Sequence, residues 1–202
     1  YLTAYYALIV RTTLQRGETV FVTGAAGGVG LATVEVAKKL GGRVIAGIGS
    51  DEKADIVRQA GADEVINYRS EDLRARIKAL TDDKGVDVCF DNVGGDVFMK
   101  MARLMNWNGR LMPVGFTSGE IPEVPMNLPL VKNYSIVGLF SGAWCEKFPE
   151  ESLLANETIM QWLANGDIRP HIDRILPLGE ARQAMQLIVD RAVQGRVVLQ
   201  VT

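Results

Sequence analysis

A strand-like run that leads directly into a cluster of glycines is the part of this sequence best suited to bind a ligand. Residues Val20–Val22 are apolar, residues 24–30 read Gly-Ala-Ala-Gly-Gly-Val-Gly, and a segment of helical periodicity follows. Glycines here allow a tight turn and let backbone N–H groups approach a pyrophosphate, which the N-terminus of the next helix attracts. This context predicts a dinucleotide-binding turn; a glycine turn that only joins two elements is the alternative. The expected cofactor contacts in it are Ala26, Gly27, Gly28 and Val29.

The second predicted strand indicates which cofactor the turn would bind. Sites that prefer NAD place an Asp or Glu at the end of this strand, where it binds the ribose hydroxyls. Here the strand ends at the apolar Ile48, Ser50 and Lys53 follow, and Tyr68 and Arg69 end the third predicted strand. Hydroxyl and cationic groups favour the 2′-phosphate of NADP(H), which a carboxylate would repel. The alternative is that Ser50 caps the next helix and Lys53 is a solvated residue of its first turn, and both interpretations are compatible.

Two further loops are expected at the same edge of the sheet. Asp91–Gly95 follows the fourth predicted strand, and Val114 and Gly115 end the fifth. The carboxyl ends of parallel strands line the crevice where ligands bind in open α/β sheets. We therefore expect these loops to lie near the nicotinamide half of a dinucleotide. The alternative for Asp91 and Asn92 is that they only cap a turn.

The elements that would position these residues are strands that alternate with helices. The strand-length runs are apolar on both faces and are separated by helical segments such as Val29–Leu40 and Asp51–Ala60, which predicts a parallel sheet covered on both sides. The predicted fold class is α/β, a Rossmann-type doubly wound six-stranded parallel sheet in the order 3-2-1-4-5-6. The predicted strands are Val20–Val22, Val44–Ile48, Glu64–Tyr68, Val86–Phe90, Arg110–Val114 and Ser135–Phe140.

The remaining segments set the expected domain organisation. Tyr1–Gln15 is predicted to be a buried helix, Phe116–Val131 a loop because it contains three prolines, and Pro149–Asn165 a helix. A strand–helix–strand pattern then has no place in a six-stranded sheet, so we expect it to pack on a neighbouring domain. That pattern comprises Ile172–Leu176, Gly179–Arg191 and Val197–Val201. The expected parts are a lead-in helix at 1–16, a cofactor-binding domain at 17–166 and a C-terminal tail at 167–202.

Composition and charge exclude several classes of protein. With 22 basic and 24 acidic side chains and a net charge of −2, the chain has no basic field to hold a nucleic-acid backbone. The longest uncharged apolar stretch, Ile136–Cys145, is about half as long as a membrane span, so we expect no membrane segment. Cys89, Cys145 and His171 are too few for a disulfide framework or a Cys/His zinc site, and we expect a cytoplasmic location. The chain begins at Tyr1 rather than Met, so we expect it to be a piece of a longer protein.

Five motifs occur in one order along the chain: Tyr1–Tyr5, residues 24–30, Ala60–Asp63, Ile66–Arg69 and Phe90–Gly95. Together they resemble the zinc-independent medium-chain dehydrogenase/reductases, most of all the NADPH:quinone oxidoreductases, with enoyl and prostaglandin reductases also similar. The resemblance covers nearly the whole chain. It implies that this chain is the cofactor-binding portion, that an N-terminal catalytic domain of the parent lies outside it, and that the tail returns to that domain.

The same resemblance implies roles for individual residues. Thr3 matches a threonine that approaches the nicotinamide, and Phe140 and Ser141 match a stretch that faces the carboxamide. Arg191 matches an arginine that reaches the cofactor phosphates. The positions that match around the 2′-phosphate and the nicotinamide ribose are Ser50, Lys53, Tyr68, Asn92 and Val93.

The sixth predicted strand also indicates a partner. It is apolar and lies at an edge of the sheet, and an unpaired apolar edge favours pairing with a second copy. The resemblance implies the same arrangement. We therefore expect a homodimer formed through the edge of the sixth strand.

These inferences lead to one expected function. We expect the cofactor-binding portion of an NADPH-dependent reductase that transfers hydride to a small-molecule substrate, a quinone or an activated alkene such as an enone or enoyl group. No catalytic residue or metal ligand is assigned within the chain, and we expect the fragment to be inactive alone. The alternative is a non-catalytic NADP(H)-binding module or sensor. A short-chain dehydrogenase is excluded, because none of the tyrosines has a lysine four residues later.

Overall fold

A six-stranded parallel sheet forms the centre of the computed structural model, which describes residues 1–201; Thr202, the last residue of the expected tail, lies outside the described residues. Its strands are β1 (Thr19–Val22), β2 (Arg43–Ile48), β3 (Glu64–Asn67), β4 (Val86–Asp91), β5 (Met105–Pro113) and β6 (Ser135–Ile136). The order is β3-β2-β1-β4-β5-β6, and all neighbouring strands run parallel. The predicted α/β fold with a doubly wound sheet is confirmed.

Helices connect the strands and cover both faces of the sheet. They are α1 (Leu2–Tyr5), α2 (Gly28–Lys39), α3 (Ala54–Gln59), α4 (Leu73–Leu80), α5 (Gly95–Met101), α6 (Asn127–Lys132), α7 (Ser141–Lys147) and α8 (Pro149–Ala164). A 3-10 turn at Asp51–Lys53 leads into α3. Among residues 1–201, no helix is long and apolar enough to span a membrane.

Burial on both faces explains why the strands read as continuous apolar runs. Val20 and Phe21 are neighbours in β1 and point to opposite faces, and both are fully buried. Val20 packs in a core with residues of α1, α2 and α3, whereas Phe21 packs in a second core with residues of α4 and α5. Neither face of the sheet is therefore left for polar side chains.

The lead-in helix is shorter than the predicted Tyr1–Gln15. After α1 the chain continues as a π-helical segment, Tyr6–Arg11, and stops at Thr12. The Thr12 hydroxyl and backbone N–H both donate to the Ala7 carbonyl, at 2.8 and 3.0 Å, and close the segment. Thr13 then adopts a left-handed φ of 48°, which ends the helix.

Two helices lie where the sequence predicted none. α6 forms inside the predicted loop Phe116–Val131 because Pro129 is its third residue, in the first turn, where a backbone N–H has no helical partner. α7 lies between the predicted sixth strand and the predicted helix Pro149–Asn165, where no element was predicted. Trp144 of α7 is only 4% exposed. Helices this short depend on such tertiary contacts rather than on a periodic pattern, which is why the sequence did not predict them.

The last two strands of the sheet also differ from the prediction. β5 begins at Met105, before the predicted start at Arg110, and β6 ends at Ile136 rather than at Phe140. The last pair between β5 and β6 is Leu111 with Ile136, and Pro113, two residues further along β5, has no N–H group with which to continue the ladder.

The tail forms a small unit of its own. β7 (Ile172–Pro177) and β8 (Arg196–Gln200) pair in parallel in a separate two-stranded sheet, and α9 (Ala181–Val189) connects them after a 3-10 turn at Leu178–Glu180. The predicted strand–helix–strand pattern is confirmed. Such a small unit cannot cover its own apolar surface. Its exposed large apolar side chains include Ile172, Ile175, Met185, Ile188 and Val189.

A bidentate ion pair ties the start of β1 to β5. The two terminal nitrogens of Arg110 donate to Glu18 Oε1 and Oε2 at 2.8 and 2.7 Å, and the Gln15 N–H donates to Oε2 at 2.7 Å. Burial raises the pKa of Glu18, but these hydrogen bonds and the charge of Arg110 outweigh it, so the pKa lies below its ordinary value of 4.5. Glu18 therefore stabilises the fold in its ionised form.

Replacing Glu18→Gln should lower the free energy of unfolding by about 1–3 kcal/mol near pH 7, because the charge-assisted bonds to Arg110 are lost. The folded pKa is depressed, so this contribution is present above the ordinary pKa of 4.5 and disappears as the pH falls through the folded pKa. In urea unfolding, the difference between the two proteins should stay constant from about pH 7 to about pH 5 and shrink as the pH falls below 4.5. Asp55→Asn is the control, since its partner Arg58 and its own 87% exposed side chain lie at the surface. A difference that does not change with pH would contradict this assignment.

Candidate cofactor-binding site

The glycine turn between β1 and α2 is compact, and its backbone favours glycine at one position and requires it at another. Gly24 has a φ of +58°, in the left-handed region. Gly30 lies in the first turn of α2, where an added Cβ would be 2.7 Å from the Ala25 carbonyl oxygen. A backbone atom at this distance cannot move aside. α2 can therefore pack this closely against the turn only because Gly30 has no side chain.

The outer side of the turn can receive an anionic ligand. Gly27 caps α2 without a side-chain hydrogen bond, and the first turn of α2 contains no acidic residue. The first N–H groups of a helix lack internal acceptors and carry partial positive charge. Gly27 is exposed, Gly28 is half-buried, and the Val29 side chain is 38% exposed, so this edge is accessible. A helix N-terminus of this kind attracts anions, which is the property that the sequence predicted for this turn.

A buried carboxylate joins the end of β1 to the loop after β4. Asp91 is fully buried; the Thr23 hydroxyl donates to its Oδ1 and the Gly94 N–H to its Oδ2, both at 2.7 Å. Burial raises the pKa of Asp91, and these hydrogen bonds oppose that effect. The structure therefore gives Asp91 the turn-capping role that was the alternative in the sequence.

Asn92 and Val93 follow Asp91 and lie against the glycine turn. The Asn92 N–H donates to the Thr23 hydroxyl at 2.9 Å, and its side-chain amide donates to the Thr23 carbonyl at 3.2 Å. Val93 Cγ2 is 3.5 Å from the place where a Gly24 Cβ would be. The end of β4 thus forms one wall of a crevice whose other wall is the glycine turn.

The end of β5 extends the same wall. The N–H groups of Val114 and Gly115 both donate to the Asp91 carbonyl, at 2.8 and 3.2 Å. A Cβ at Gly115 would lie 3.4 Å from the Asn92 carbonyl oxygen. The predicted positions after β4 and β5 are therefore adjacent, as expected for carboxyl ends of neighbouring parallel strands.

Basic and phenolic side chains gather at the end of β2. The Lys53 ammonium donates to the Arg191 carbonyl at 2.7 Å, although the two residues are 138 positions apart. Tyr68 Oη and Arg69 Nε each lie 3.5 Å from the place where a Gly49 Cβ would be. Burial raises the pKa of Tyr68, against the lowering effects of the Arg69 and Arg191 charges, so the phenol stays protonated and able to donate. The structure thus brings Lys53, Tyr68, Arg69 and Arg191 together at the end of β2.

Ser50 does not adopt the helix-capping role that was the alternative for it. It precedes the 3-10 turn at Asp51–Lys53, but its side chain makes no capping hydrogen bond. Its hydroxyl instead donates to Glu52 Oε1 at 3.1 Å. The Glu52 carboxylate is a negative group beside the cationic cluster, which the sequence interpretation did not consider.

The tail reaches the glycine turn through Gly195 and Arg196, whereas the sequence predicted only Arg191 of the tail near the cofactor. The Gly195 N–H donates to the Ala26 carbonyl at 2.8 Å. The Arg196 side chain lies over the start of α2, with its Cγ 3.0 Å from the place where a Gly28 Cβ would be. Arg191 also donates to the Thr117 carbonyl, in the loop after β5, at 3.2 Å. The segment from Arg191 to Arg196 thus contributes two cations to the crevice, and no signal in the local pattern singled out Arg196.

The residues expected near the nicotinamide lie on α1 and at the start of α7. Thr3 Oγ1 and Ser141 Oγ are 3.2 Å apart, so the structure brings together two residues 138 positions apart in the chain. The neighbouring Phe140 is 76% exposed and directs its ring away from the core. The hydroxyl pair, rather than the aromatic ring, is the polar feature of this region.

The fold and the glycine turn define a Rossmann-type dinucleotide-binding domain. A family model described as "Zinc-binding dehydrogenase" matches residues 28–156, and the chain belongs to this family. The predicted membership of the medium-chain dehydrogenase/reductases is confirmed. Among residues 1–201, no group of three or more His, Cys, Asp or Glu side chains is arranged to hold a metal ion.

Curated relatives are named as quinone oxidoreductases. The chain is 40% identical to "Quinone oxidoreductase-like protein 2 homolog" of Nematostella vectensis over 200 residues, covering 98% of this chain and 55% of the relative. It is 32% identical to "Quinone oxidoreductase 1" of Escherichia coli, covering 98% of this chain and 61% of the relative. The chain therefore spans between half and two thirds of the length of these relatives.

Solved structures of similar proteins contain NADPH. Escherichia coli quinone oxidoreductase complexed with NADPH matches with a TM-score of 0.88 and 32% identity, over 98% of this chain and 61% of that chain. A mycobacterial protein, Rv1454c, complexed with NADPH, matches with a TM-score of 0.92 and 30% identity, over 99% of this chain and 62% of that chain.

The glycine turn gives a direct test of the site's packing. Gly30→Ala should lower the free energy of unfolding by about 1–3 kcal/mol, since the new methyl group overlaps the backbone of Ala25. Gly179→Ala is the matched control, because a Cβ there meets nothing within 4 Å. Urea unfolding of both variants measures the effect, and an unchanged midpoint for Gly30→Ala would show that the close contact is absent.

Proposed function

We propose that this chain is the NADP(H)-binding portion of an NADPH-dependent reductase that delivers hydride to a quinone or an activated alkene. The observation that carries the proposal is the cluster of Lys53, Tyr68, Arg69 and Arg191 at the end of β2, next to the N-terminus of α2, over which the Arg196 side chain lies. A dinucleotide with its diphosphate on α2 places its adenosine ribose at this end of the crevice.

The electrostatics of the cluster favour a 2′-phosphate over a ribose hydroxyl. β2 ends at the buried Ile48, so no carboxylate stands where NAD sites bind the ribose. Lys53 donates only to a neutral carbonyl of Arg191, and a phosphate is a stronger acceptor for both cations. Glu52 opposes the phosphate, but Lys53, Arg69 and Arg191 outnumber it.

The chain's own residues bind and orient in this proposal. The bound cofactor supplies the hydride, and the protein supplies position and electrostatics. Asn92, Val93 and Gly115 form the wall beside the nicotinamide ribose, and the Thr3 and Ser141 hydroxyls lie at the carboxamide end. Asp91 cannot exchange protons with a substrate, because it is fully buried and bound by Thr23 and Gly94. We propose that the proton comes from solvent or from the N-terminal domain of the parent protein.

The proposal extends to the parent protein. The exposed apolar side chains of α9 and β7 support a tail that packs on an N-terminal catalytic domain. The proposed parts are thus a lead-in helix at 1–16, the cofactor domain at 17–166 and the tail at 167–202. The fragment without that domain would bind cofactor but not turn over substrate, and the proposed location is the cytoplasm.

Calorimetric titration with NADPH and NADH tests the cofactor assignment. One or two charge-assisted contacts at about 1.5–3 kcal/mol each predict a preference for NADPH of roughly tenfold to several hundredfold, which weakens as salt is added. Lys53→Ala should reduce the affinity for NADPH about tenfold or more and leave NADH unchanged. Lys84→Ala, at an exposed turn before β4, is the control. Equal affinities of the unaltered chain for both cofactors would refute the 2′-phosphate subsite.

The proposed partner is a second copy that pairs at the β6 edge. β6 is the last strand in the sheet order, and Ile136 is 38% exposed on it. Sedimentation equilibrium should give a dimer at micromolar concentration, and Ile136→Lys should give a monomer because a charge would be buried between the copies. Asp55→Lys, on α3 beside the other half of the sheet, should stay dimeric. A monomeric unaltered chain would contradict the proposal.

A further inference from the structure

The lead-in segment and α7 lie side by side and meet in two successive contacts. Thr3 Oγ1 is 3.2 Å from Ser141 Oγ, and the rings of Tyr6 and Trp144 stack with centroids 4.4 Å apart and planes 11° from parallel. Tyr6 is three residues after Thr3, and Trp144 is three residues after Ser141. Residues three apart lie on one face of a helix, so the aromatic stack sits about one turn beyond the hydroxyl pair on both helices.

The stack is the better anchored of the two contacts. Trp144 is only 4% exposed, and its indole N–H donates to Glu151 Oε2 of α8 at 3.2 Å. α7 has just seven residues and no side-chain cap, so its own hydrogen bonds do not fix its position. Packing of Trp144 between Tyr6 and α8 therefore sets where α7 begins, and Ser141 is its first residue.

From this geometry we infer that Tyr6 and Trp144 are positioning residues, which hold the Thr3 and Ser141 hydroxyls in register to bind the carboxamide end of a dinucleotide. Each hydroxyl both donates and accepts a hydrogen bond, and a carboxamide presents one donor group and one acceptor group. Two hydroxyls at a fixed separation match that pair only while the helices keep their register. The inference rests on the proposed function and adds residues that touch neither cofactor nor substrate.

The role predicts a loss confined to one half of the ligand. The cluster at Lys53 binds the adenosine end, and neither Tyr6 nor Trp144 belongs to it. Loss of the stack should therefore lower the affinity for NADPH, which has the carboxamide. It should not lower the affinity for adenosine 2′,5′-bisphosphate, which lacks the carboxamide. A purely structural role would weaken both ligands together.

The experiment measures the affinities of the full chain for both ligands by calorimetry, with thermal unfolding of each variant. Tyr6→Leu should lower the affinity for NADPH about threefold to tenfold, the range that loss of one aromatic pair predicts. The affinity for adenosine 2′,5′-bisphosphate should change by no more than about twofold. Tyr6→Phe keeps the ring and should restore NADPH binding. Tyr5→Leu is the matched control, because the Tyr5 ring packs against Trp162 of α8, with the ring centroids 5.9 Å apart, and not against α7.

A double-variant comparison separates positioning from direct contact. If Tyr6 acts through the hydroxyl pair, Tyr6→Leu should add little to the loss of NADPH affinity that Thr3→Val causes. If the two residues acted independently, the fold-losses in affinity would multiply. Equal losses for both ligands, or no loss for NADPH, would overturn the role of the stack. If the unaltered chain bound neither NADPH nor the bisphosphate, the proposed function would fail first and this inference with it.

Discussion

The hydrogen bond from Thr23 to the buried carboxylate of Asp91 sets both walls of the crevice. Asp91 is fully buried, and an unpaired carboxylate there would be costly, so its donors must stay in place. Gly24 follows Thr23 and starts the glycine turn, while Asn92 follows Asp91 and starts the opposite wall. The bond thus spans the point in the strand order where β1 meets β4. The site is open at this point because the connections leave the two strands in opposite directions.

The two ends of the crevice use different physical means. At the end of β2, cations and a protonated phenol surround a space next to a helix N-terminus, which suits a ligand with several negative charges. At the start of α7, two neutral hydroxyls face each other. The tail joins the charged end to the centre, because Arg191 contacts Lys53 and Gly195 contacts Ala26. A tail that carries uncovered apolar side chains is thereby tied to the cofactor site.

The errors of the sequence interpretation have a common cause. The strands and α2 were predicted because their apolar patterns continue over several residues and reflect burial on two faces. α6 was missed because Pro129 was taken to exclude a helix, although its position in the first turn permits one. α7 was missed because it depends on Trp144 rather than on a pattern of its own. β6 was predicted too long because its pairing ends at Leu111 of β5, and Pro113 of that strand has no N–H group to continue it.

The sequence by itself determined the α/β class, the strand order and the glycine turn, because these follow from periodicity and from glycine at fixed spacings. It also supplied the residue types of the proposed 2′-phosphate subsite at Ser50, Lys53 and Tyr68. Only the tertiary structure decided which distant residues complete the site. Lys53 with Arg191, and Thr3 with Ser141, are 138 positions apart, and Arg196 reaches Gly28 from the tail. Local patterns carry no information on such pairs, because they form only when the whole sheet and the tail have folded around them.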